Sequence, residues 1–329
     1  MEKLSIKELA LAVYRKDVPS NFSLTDMEGA LRAKFQELAP DFNSYRRNKL
    51  EIFEIIESVV DEVAPKRVRE LIGQFAEVRT YGQGEKARFK IKKGRNNVKR
   101  FITKVGLGGV YERVRLDSDF VDVMTHAFGG AAYVELEQFL DGTLDFTELT
   151  DLIIQGIEDA IYKEVQEALI ATFGKLPAAN KHESNSTDGD ELKRIIATVK
   201  AYGGNANVIC TPEFAATITP DTNFIGDADK ADMREQGYIG RFAGANVIVL
   251  PQSFEDESNT QKVFNPQYAF VVPTGGSADE KIVKVALEGQ TIVKEVENAD
   301  ASMEFQAYKK VGTVVLNVNH FGMIRNTSL

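Results

Sequence analysis

The sequence lacks several features on which whole classes of protein depend. Its single cysteine, Cys210, cannot form an intrachain disulfide, which fits a reducing cytoplasm. No apolar run approaches the roughly 18 residues that a membrane-spanning helix needs. Residues 1–17 mix charged residues into their apolar positions, unlike a secretory signal peptide. We therefore expect a protein without disulfides and without membrane contact.

Side chains that build metal centres and nucleophilic sites are also sparse. The histidines His126, His182 and His320 lie far apart and lack metal-ligand spacing. Cys210 lies in an apolar stretch typical of a core thiol. The chain has no Gly-x-Ser-x-Gly or His-Glu-x-x-His motif, and Gly82-Gln83-Gly84 does not open a phosphate-binding helix. The residues favour a protein that is not an enzyme and has no catalytic, cofactor or metal site.

Two acidic loops leave a weaker alternative open. Asp188, Asp190 and Glu191 resemble part of a calcium loop, but the distal Glu of an EF-hand is missing. Capping of a helix that begins near Glu191 explains them better. The Asp-rich segment 219–236 is either a solvated loop or a loose cation site. A metal-dependent enzyme that uses these loops is the alternative hypothesis.

Charge is distributed unevenly along a chain whose net charge is -9. Residues 86–104 hold nine Lys or Arg and no acid, whereas residues 119–174 hold twelve Asp or Glu and one base, Lys163. Such polarity can steer or select a partner. Overall acidity argues against tight, general binding of nucleic acid. We infer self-recognition, in which the basic segment of one copy lies on the acidic segment of the next.

Apolar periodicity predicts helices in residues 1–72 and strands after Phe75. Ser23 or Thr25 can cap the second helix, and the third is expected to stop at Pro65. These amphipathic helices carry no catalytic spacing, so we expect them to form an interaction arm.

Strict alternation over residues 86–92 predicts a strand with one basic face and one apolar face. With a turn at 93–97 and a return strand through Phe101, residues 76–118 form a long β-hairpin. Because an isolated hairpin is marginal in water, its apolar face is expected to rest on a neighbouring subunit. The predicted contact residues are Lys86, Arg88, Phe89, Lys90, Ile91, Lys92, Lys93, Arg95 and Phe101.

Residues 145–173 carry the longest helical pattern, roughly 28 residues or about 40 Å. Asp145 and Glu148 form a capping-box pattern, and Gly174 ends the helix. The acids that we expect to meet the basic hairpin of a neighbour are Glu158, Asp159, Glu164 and Glu167. An exposed ion pair contributes only about 0–1 kcal/mol, so the charges set register and apolar burial supplies more of the stability.

The predicted fold class is α+β, with helices and strands segregated along the chain. The order of elements resembles the major capsid proteins of tailed bacteriophages, the Hong Kong ninety-seven fold. The matching segments are residues 1–75, 86–105, 145–174, 207–218, 238–251 and 310–325.

The resemblance implies a division of the chain into four parts. These are an N-terminal helical arm (1–75), an extended hairpin loop (76–118), a peripheral domain with a long spine helix (119–187 and 275–310) and an inserted axial domain (188–274 and 311–329). It also implies self-assembly into hexamers and pentamers of an icosahedral shell that encloses double-stranded DNA. The expected location is the virion, with assembly in the host cytoplasm. The implied partners are further copies of the chain, portal and scaffolding proteins, and DNA contacted non-specifically.

Two other functions stay open at this point. One is a nanocompartment (encapsulin-like) shell of the same fold, which would enclose protein cargo. The other, from a different class, is a DNA-bending protein that uses the basic hairpin. The nucleic-acid content of purified particles separates the two shell functions, and salt-sensitive duplex binding by a small free oligomer would indicate the third.

Overall fold

Three helices occupy the N-terminal part of the chain, as the apolar periodicity predicts. They are α1 (Ile6–Tyr14), α2 (Leu24–Leu38) and α3 (Phe42–Ile72). Ser5 and Ser23 cap the first two helices through capping boxes, so the predicted cap at Ser23 is confirmed. The structure, a computed structural model, describes residues 5–15, 23–73, 75–92, 118–134, 146–219, 227–250, 252–254, 256, 258–274, 281–297 and 303–329.

The predicted stop at Pro65 is wrong, because α3 continues through this residue to Ile72. A proline inside a helix removes one backbone hydrogen bond and crowds the preceding turn. The residues beyond it, Val68 and Ile72, are buried in the main core. Burial of this last stretch therefore offsets the local cost of the proline.

The N-terminal helices pack into the main core, which differs from the expected interaction arm. Leu9 of α1 and Ile56 of α3 share one buried cluster with Ile154 of the long helix and with strand residues. The rings of Phe53 and Phe305 meet edge to face at 6.0 Å. The apolar stripe of α3 is thus covered by the chain's own sheet.

That sheet has four strands, which are β1 (Ala76–Tyr81), β4 (His126–Val134), β10 (Val283–Glu297) and β11 (Met303–Val315). Their order is β1-β10-β11-β4. The β1–β10 pair is parallel, and the other two pairs are antiparallel. The predicted long helix is confirmed as α4 (Phe146–Ile170), which packs on this sheet beside α3 and ends four residues before the predicted end at Gly174.

Carboxylates of α3 support an irregular stretch of β10. The register of β10 shifts between Glu288 and Ile292. Asp61 accepts a hydrogen bond from the Thr291 amide at 2.9 Å, and Glu57 accepts one from the Val293 amide at 2.7 Å. These backbone groups are therefore satisfied by the helix, which ties α3 to the sheet.

A separate two-stranded ribbon contains the predicted basic strand. It pairs β2 (Ala87–Lys92) with β3 (Ser118–Val123) in antiparallel register, with Ala87 opposite Val123 and Lys92 opposite Ser118. The partner strand therefore begins where the predicted hairpin was to end, and β1 belongs to the four-stranded sheet instead. The predicted return strand through Phe101 lies outside the described residues.

The second half of the chain builds a six-stranded sheet. Its strands are β5 (Lys181–Ser184), β6 (Asn205–Cys210), β7 (Arg241–Phe242), β8 (Ala245–Val249), β9 (Tyr268–Thr274) and β12 (Gly322–Asn326). Their order is β5-β12-β9-β6-β8-β7. The helices of this half are α5 (Gly189–Gly203), α6 (Pro212–Thr217) and α7 (Asp227–Glu235). Asp188 caps α5 by accepting the Asp190 amide at 2.9 Å, so the capping explanation for this acidic loop is confirmed.

The α+β class is confirmed. The predicted division into four parts stays a prediction. Strand β5 joins the six-stranded sheet, and β11 continues to Val315 in the four-stranded sheet. Among the described helices, none offers a stretch long and apolar enough to cross a bilayer.

Candidate functional site

The basic face of the ribbon is exposed, and one of its cations is paired within the chain. Lys86, Arg88 and Lys90 are exposed on β2 and the residue before it. The Arg88 guanidinium forms two hydrogen bonds with the Asp122 carboxylate of β3, at 2.7 and 3.0 Å. This pair lowers the pKa of Asp122. Arg88 is therefore already paired with Asp122, an acid from the chain's own acidic segment.

The apolar face of β2 is covered by its own chain, which corrects the expectation that a neighbour covers it. Phe89 is fully buried against Ala286 and Tyr81, and the two aromatic rings lie edge to face at 5.7 Å. The Tyr81 hydroxyl donates to the Arg88 carbonyl at 2.9 Å. Ile91 is half-buried. Phe89 is therefore unavailable to a second copy in this conformation.

The remaining predicted residues of the hairpin are not all described. Lys92 lies at the end of β2, and nothing is described of its side chain. Lys93, Arg95 and Phe101 lie outside the described residues, so their predicted contacts stay predictions.

Glu288 fixes the base of the ribbon to β10, a role that the sequence did not indicate. Its carboxylate accepts from the Gly84 amide at 3.0 Å, just before β2, and from the Thr125 hydroxyl, just after β3. Lys310 lies 3.3 Å from the same carboxylate. The bond from Thr125, followed by that from Gly84, lowers the pKa of Glu288. One side chain thus anchors both strands where they leave the sheet.

Glu158, one of the four predicted acids on α4, faces inward. Its side chain is only 14% exposed and lies 3.8 Å from the Arg67 guanidinium of α3. Burial raises the pKa of Glu158 to about 7, against a smaller lowering by Arg67. Asp159 is half-buried, and burial raises its pKa. Glu158 therefore belongs to the contact between α3 and α4 rather than to an outer surface.

The other two acids continue a different face of α4. Gly156, Ala160, Glu164 and Glu167 follow one another at spacings of four, four and three residues, so they lie on one side of the helix. Glu167 is exposed and Glu164 is half-buried. The structure therefore separates Glu164 and Glu167 from Glu158, which lies nine residues before Glu167 and so on the opposite side of the helix.

An apolar groove lies between α4 and the edge strand β4, on the same face of the helix as Glu164 and Glu167. Its volume is about 330 Å³. It is open because Gly130 and Gly156, on opposite walls, each leave free space where a side chain would stand. A glycine inside a helix costs about 1 kcal/mol relative to alanine. Other lining residues are Phe128, Leu152, Ala160 and Phe305.

Two large apolar side chains project from the ribbon. Phe120 on β3 is 58% exposed, and Met124, just beyond β3, is 83% exposed. Phe120 lies opposite Lys90 in the ribbon and under the Arg88 guanidinium, which is 6.0 Å from the centre of its ring. The basic face therefore also carries an exposed aromatic group, which the sequence analysis missed.

Side chains that could build a metal centre or a nucleophilic site are dispersed or buried in the described part of the chain. Within the described part of the chain, no group of three or more His, Cys, Asp or Glu could hold a metal ion. Cys210 is buried, and burial raises its pKa to about 12. A thiol with that pKa is a poor nucleophile at neutral pH.

Comparison with known families identifies one match over almost the whole chain. A family model described as "SPbeta prophage-derived putative capsid protein YonB" matches residues 5–325. No curated protein sequence matches the chain significantly.

Solved structures of two capsids and of a virus-like particle share the fold at low sequence identity. The virus-like particle from Pyrococcus furiosus is 14% identical with a TM-score of 0.50, over 84% of this chain and 100% of that chain. The capsid of a native GTA particle is 13% identical with a TM-score of 0.52, over 78% and 89%. The capsid of Cyanophage P-SCSP1u is 9% identical with a TM-score of 0.50, over 77% and 87%. The architecture described above is therefore that of phage-type capsid proteins.

Proposed function

The chain belongs to the YonB family of SPbeta prophage-derived capsid proteins, and we propose that its copies form hexamers and pentamers of an icosahedral shell around double-stranded DNA. It is a shell-forming protein of phage origin, which makes the virion its location. In this proposal the protein has a structural role and no enzymatic activity. We further propose assembly in the host cytoplasm, with portal and scaffolding proteins as partners.

The observation that supports a specific contact between copies is the complementarity of two outward faces. The ribbon exposes Lys86 and Lys90, and α4 presents Glu164 and Glu167 on its groove face. We assign these four residues to the contact. Arg88 and Glu158 are omitted because each has a partner of opposite charge in its own chain. Each exposed pair contributes about 0–1 kcal/mol, so the pairs select the neighbour and its register through repetition around the rings.

Charge reversal tests this contact. Lys86→Glu with Lys90→Glu should prevent shell assembly while the subunit stays folded, because acids then face acids. Adding Glu164→Lys with Glu167→Lys should restore shells, since attraction returns with the signs exchanged. Electron microscopy and size-exclusion chromatography report assembly, and the effect should weaken as salt rises.

The matched control is Lys7→Glu with Lys66→Glu, which makes the same charge change at exposed positions of α1 and α3. These shells should form normally. Normal assembly of the Lys86→Glu, Lys90→Glu variant at low and moderate salt would refute the proposed contact, and so would failure of the four-residue exchange to restore shells.

The contents of the shell separate the proposed function from its alternatives. Particles purified from producing cells should contain double-stranded DNA, measured by nuclease-protected nucleic acid. Particles filled with protein and free of nucleic acid would favour the nanocompartment function. A small free oligomer that binds duplex DNA in a salt-sensitive manner would favour DNA bending.

A further inference from the structure

The edge strands of the described sheets differ in how they are protected against pairing with another chain. Unprotected edges invite association, and proteins guard them with charge, proline or short length. Strand β1 carries Glu77 and Arg79, and both strands of the ribbon carry Lys, Arg or Asp. Strands β5 and β7 have only four and two residues and also carry charge. Strand β4 runs for nine residues, His126–Val134, without Lys, Arg, Asp, Glu or Pro. Among the described edges, β4 alone lacks protection.

The apolar groove between α4 and β4 adjoins this unprotected edge. The exposed side chain of Leu152 stands at its rim. Contiguous exposed apolar surface marks interaction sites, and here the apolar lining of the groove continues into Leu152. A groove of this size lies at the lower end of the range for pockets that bind ligands, which suits one large side chain.

The charges around the groove indicate what could enter it. Its helical wall continues into Glu164 and Glu167, which favour a binding partner that carries positive charge. The ribbon of the same protein presents Phe120 with Lys90 directly opposite and Lys86 four residues before Lys90. An exposed aromatic group flanked by lysines thus complements an apolar groove flanked by glutamates.

We propose that the groove between α4 and β4 of one copy receives Phe120 of a second copy, so that this side chain anchors the contact between subunits. The inference rests on the proposed shell function and deepens it. The lysines of the second copy orient its approaching ribbon. The uncharged edge of β4 lets the backbone of that ribbon come close, and Gly130 and Gly156 leave room for the Phe120 ring. Full burial of a Phe side chain changes a binding equilibrium roughly 10- to 100-fold.

Filling the groove provides a test in which stability and assembly move in opposite directions. Gly156→Leu should stabilise the isolated subunit, because Leu favours the helix more than Gly does and a Cβ at this position meets nothing within 4 Å. The same change should raise the protein concentration needed for shell formation about tenfold or more. Light scattering measures assembly, and urea unfolding of dissociated subunits measures stability.

The matched control is Gly29→Leu in α2, an exposed helical glycine whose Cβ would likewise meet nothing within 4 Å. It should stabilise the subunit in the same way and leave assembly unchanged. Phe120→Ser offers a second test that avoids the groove. It should raise the assembly concentration about tenfold and change subunit stability little, because Phe120 is 58% exposed and contacts the subunit only through the ribbon.

The possible results separate this inference from the proposed function. If the natural protein forms no shells under any condition, the shell function fails and the inference fails with it. If the natural protein and Gly29→Leu form shells and both Gly156→Leu and Phe120→Ser assemble equally well, only the role of the groove is refuted. Should Gly156→Leu fail to fold, the assembly of Phe120→Ser alone decides the question.

Discussion

The two edges of the four-stranded sheet, β1 and β4, are built in opposite ways. Strand β1 carries Glu77, whose carboxylate lies 2.5 Å from the fully buried ammonium of Lys284 and also pairs with Arg79. Strand β4 carries no charge and borders an open apolar groove. The difference indicates which surfaces the chain completes by itself and which surfaces are left for another copy.

The same contrast divides the acids of α4. Glu158 lies against α3 and meets Arg67 of its own chain, whereas Glu164 and Glu167 continue the face that borders the groove. Residues of one type on one helix therefore serve two purposes. Substitutions on either side of this division should affect either the stability of the subunit or the association of subunits.

The largest effect on stability is expected at the closed edge. Glu77→Leu leaves the Lys284 ammonium buried without its carboxylate, and loss of one partner from a buried pair costs roughly 3–5 kcal/mol. Urea unfolding of dissociated subunits should show this loss.

The double variant Glu77→Leu with Lys284→Met supplies the control, because it removes the buried charge together with its partner. It should recover most of the lost stability. A loss below about 1 kcal/mol in the single variant would contradict the claim that the pair holds this edge together.

An intermediate effect is expected at Glu158 and should depend on pH. Burial raises its pKa from 4.5 to about 7, so the carboxylate binds a proton at a higher pH in the folded state than in the unfolded chain. This group therefore contributes stability that is lost as the pH rises from about 4.5 through about 7. Glu158→Gln should stabilise the subunit at pH 8 by roughly 1–3 kcal/mol and flatten this part of the pH dependence.

Thermal unfolding of dissociated subunits between pH 5 and pH 8 checks this prediction. Arg67 is one-third exposed and stays hydrated when the carboxylate is removed, so its loss of a partner should cost little. An unchanged slope in the Gln variant would show that other groups cause the pH dependence.

Elements that rest on local patterns could be predicted from the sequence. Alternation of basic and apolar residues predicted β2, and the helical spacing of apolar residues predicted α4, because each pattern reflects the geometry of a single element. The cap of α5 at Asp188 was likewise local. The segregation of helices and strands was enough to indicate the α+β class.

Features that depend on distant segments could not be predicted in this way. Strand β2 pairs with residues 118–123, although segments nearer in the sequence could also pair with it. The alternation of apolar and polar residues does not specify which segment becomes the partner strand. The ribbon is anchored by Glu288, which lies about 200 residues further along the chain. The groove is open because Gly130 and Gly156, in its two walls, have no side chains, and a missing side chain leaves no hydrophobic signal in a sequence.

The smallest effect on stability is expected at Glu167, the outward counterpart of Glu158 on the same helix. Because Glu167 is exposed, Glu167→Gln should leave the unfolding midpoint of the dissociated subunit within about 2 °C of the natural protein at every pH from 5 to 8. Assembly of Glu167→Gln should nevertheless require more protein at low salt and become indistinguishable from assembly of the natural protein at high salt, because screening removes the contribution of an exposed pair.

Unfolding and light-scattering measurements on Glu167→Gln and Glu158→Gln together test the division between the two faces of α4. If Glu167→Gln changed stability as Glu158→Gln does, or if Glu158→Gln alone impaired assembly, the two faces of α4 would not have the separate roles assigned to them.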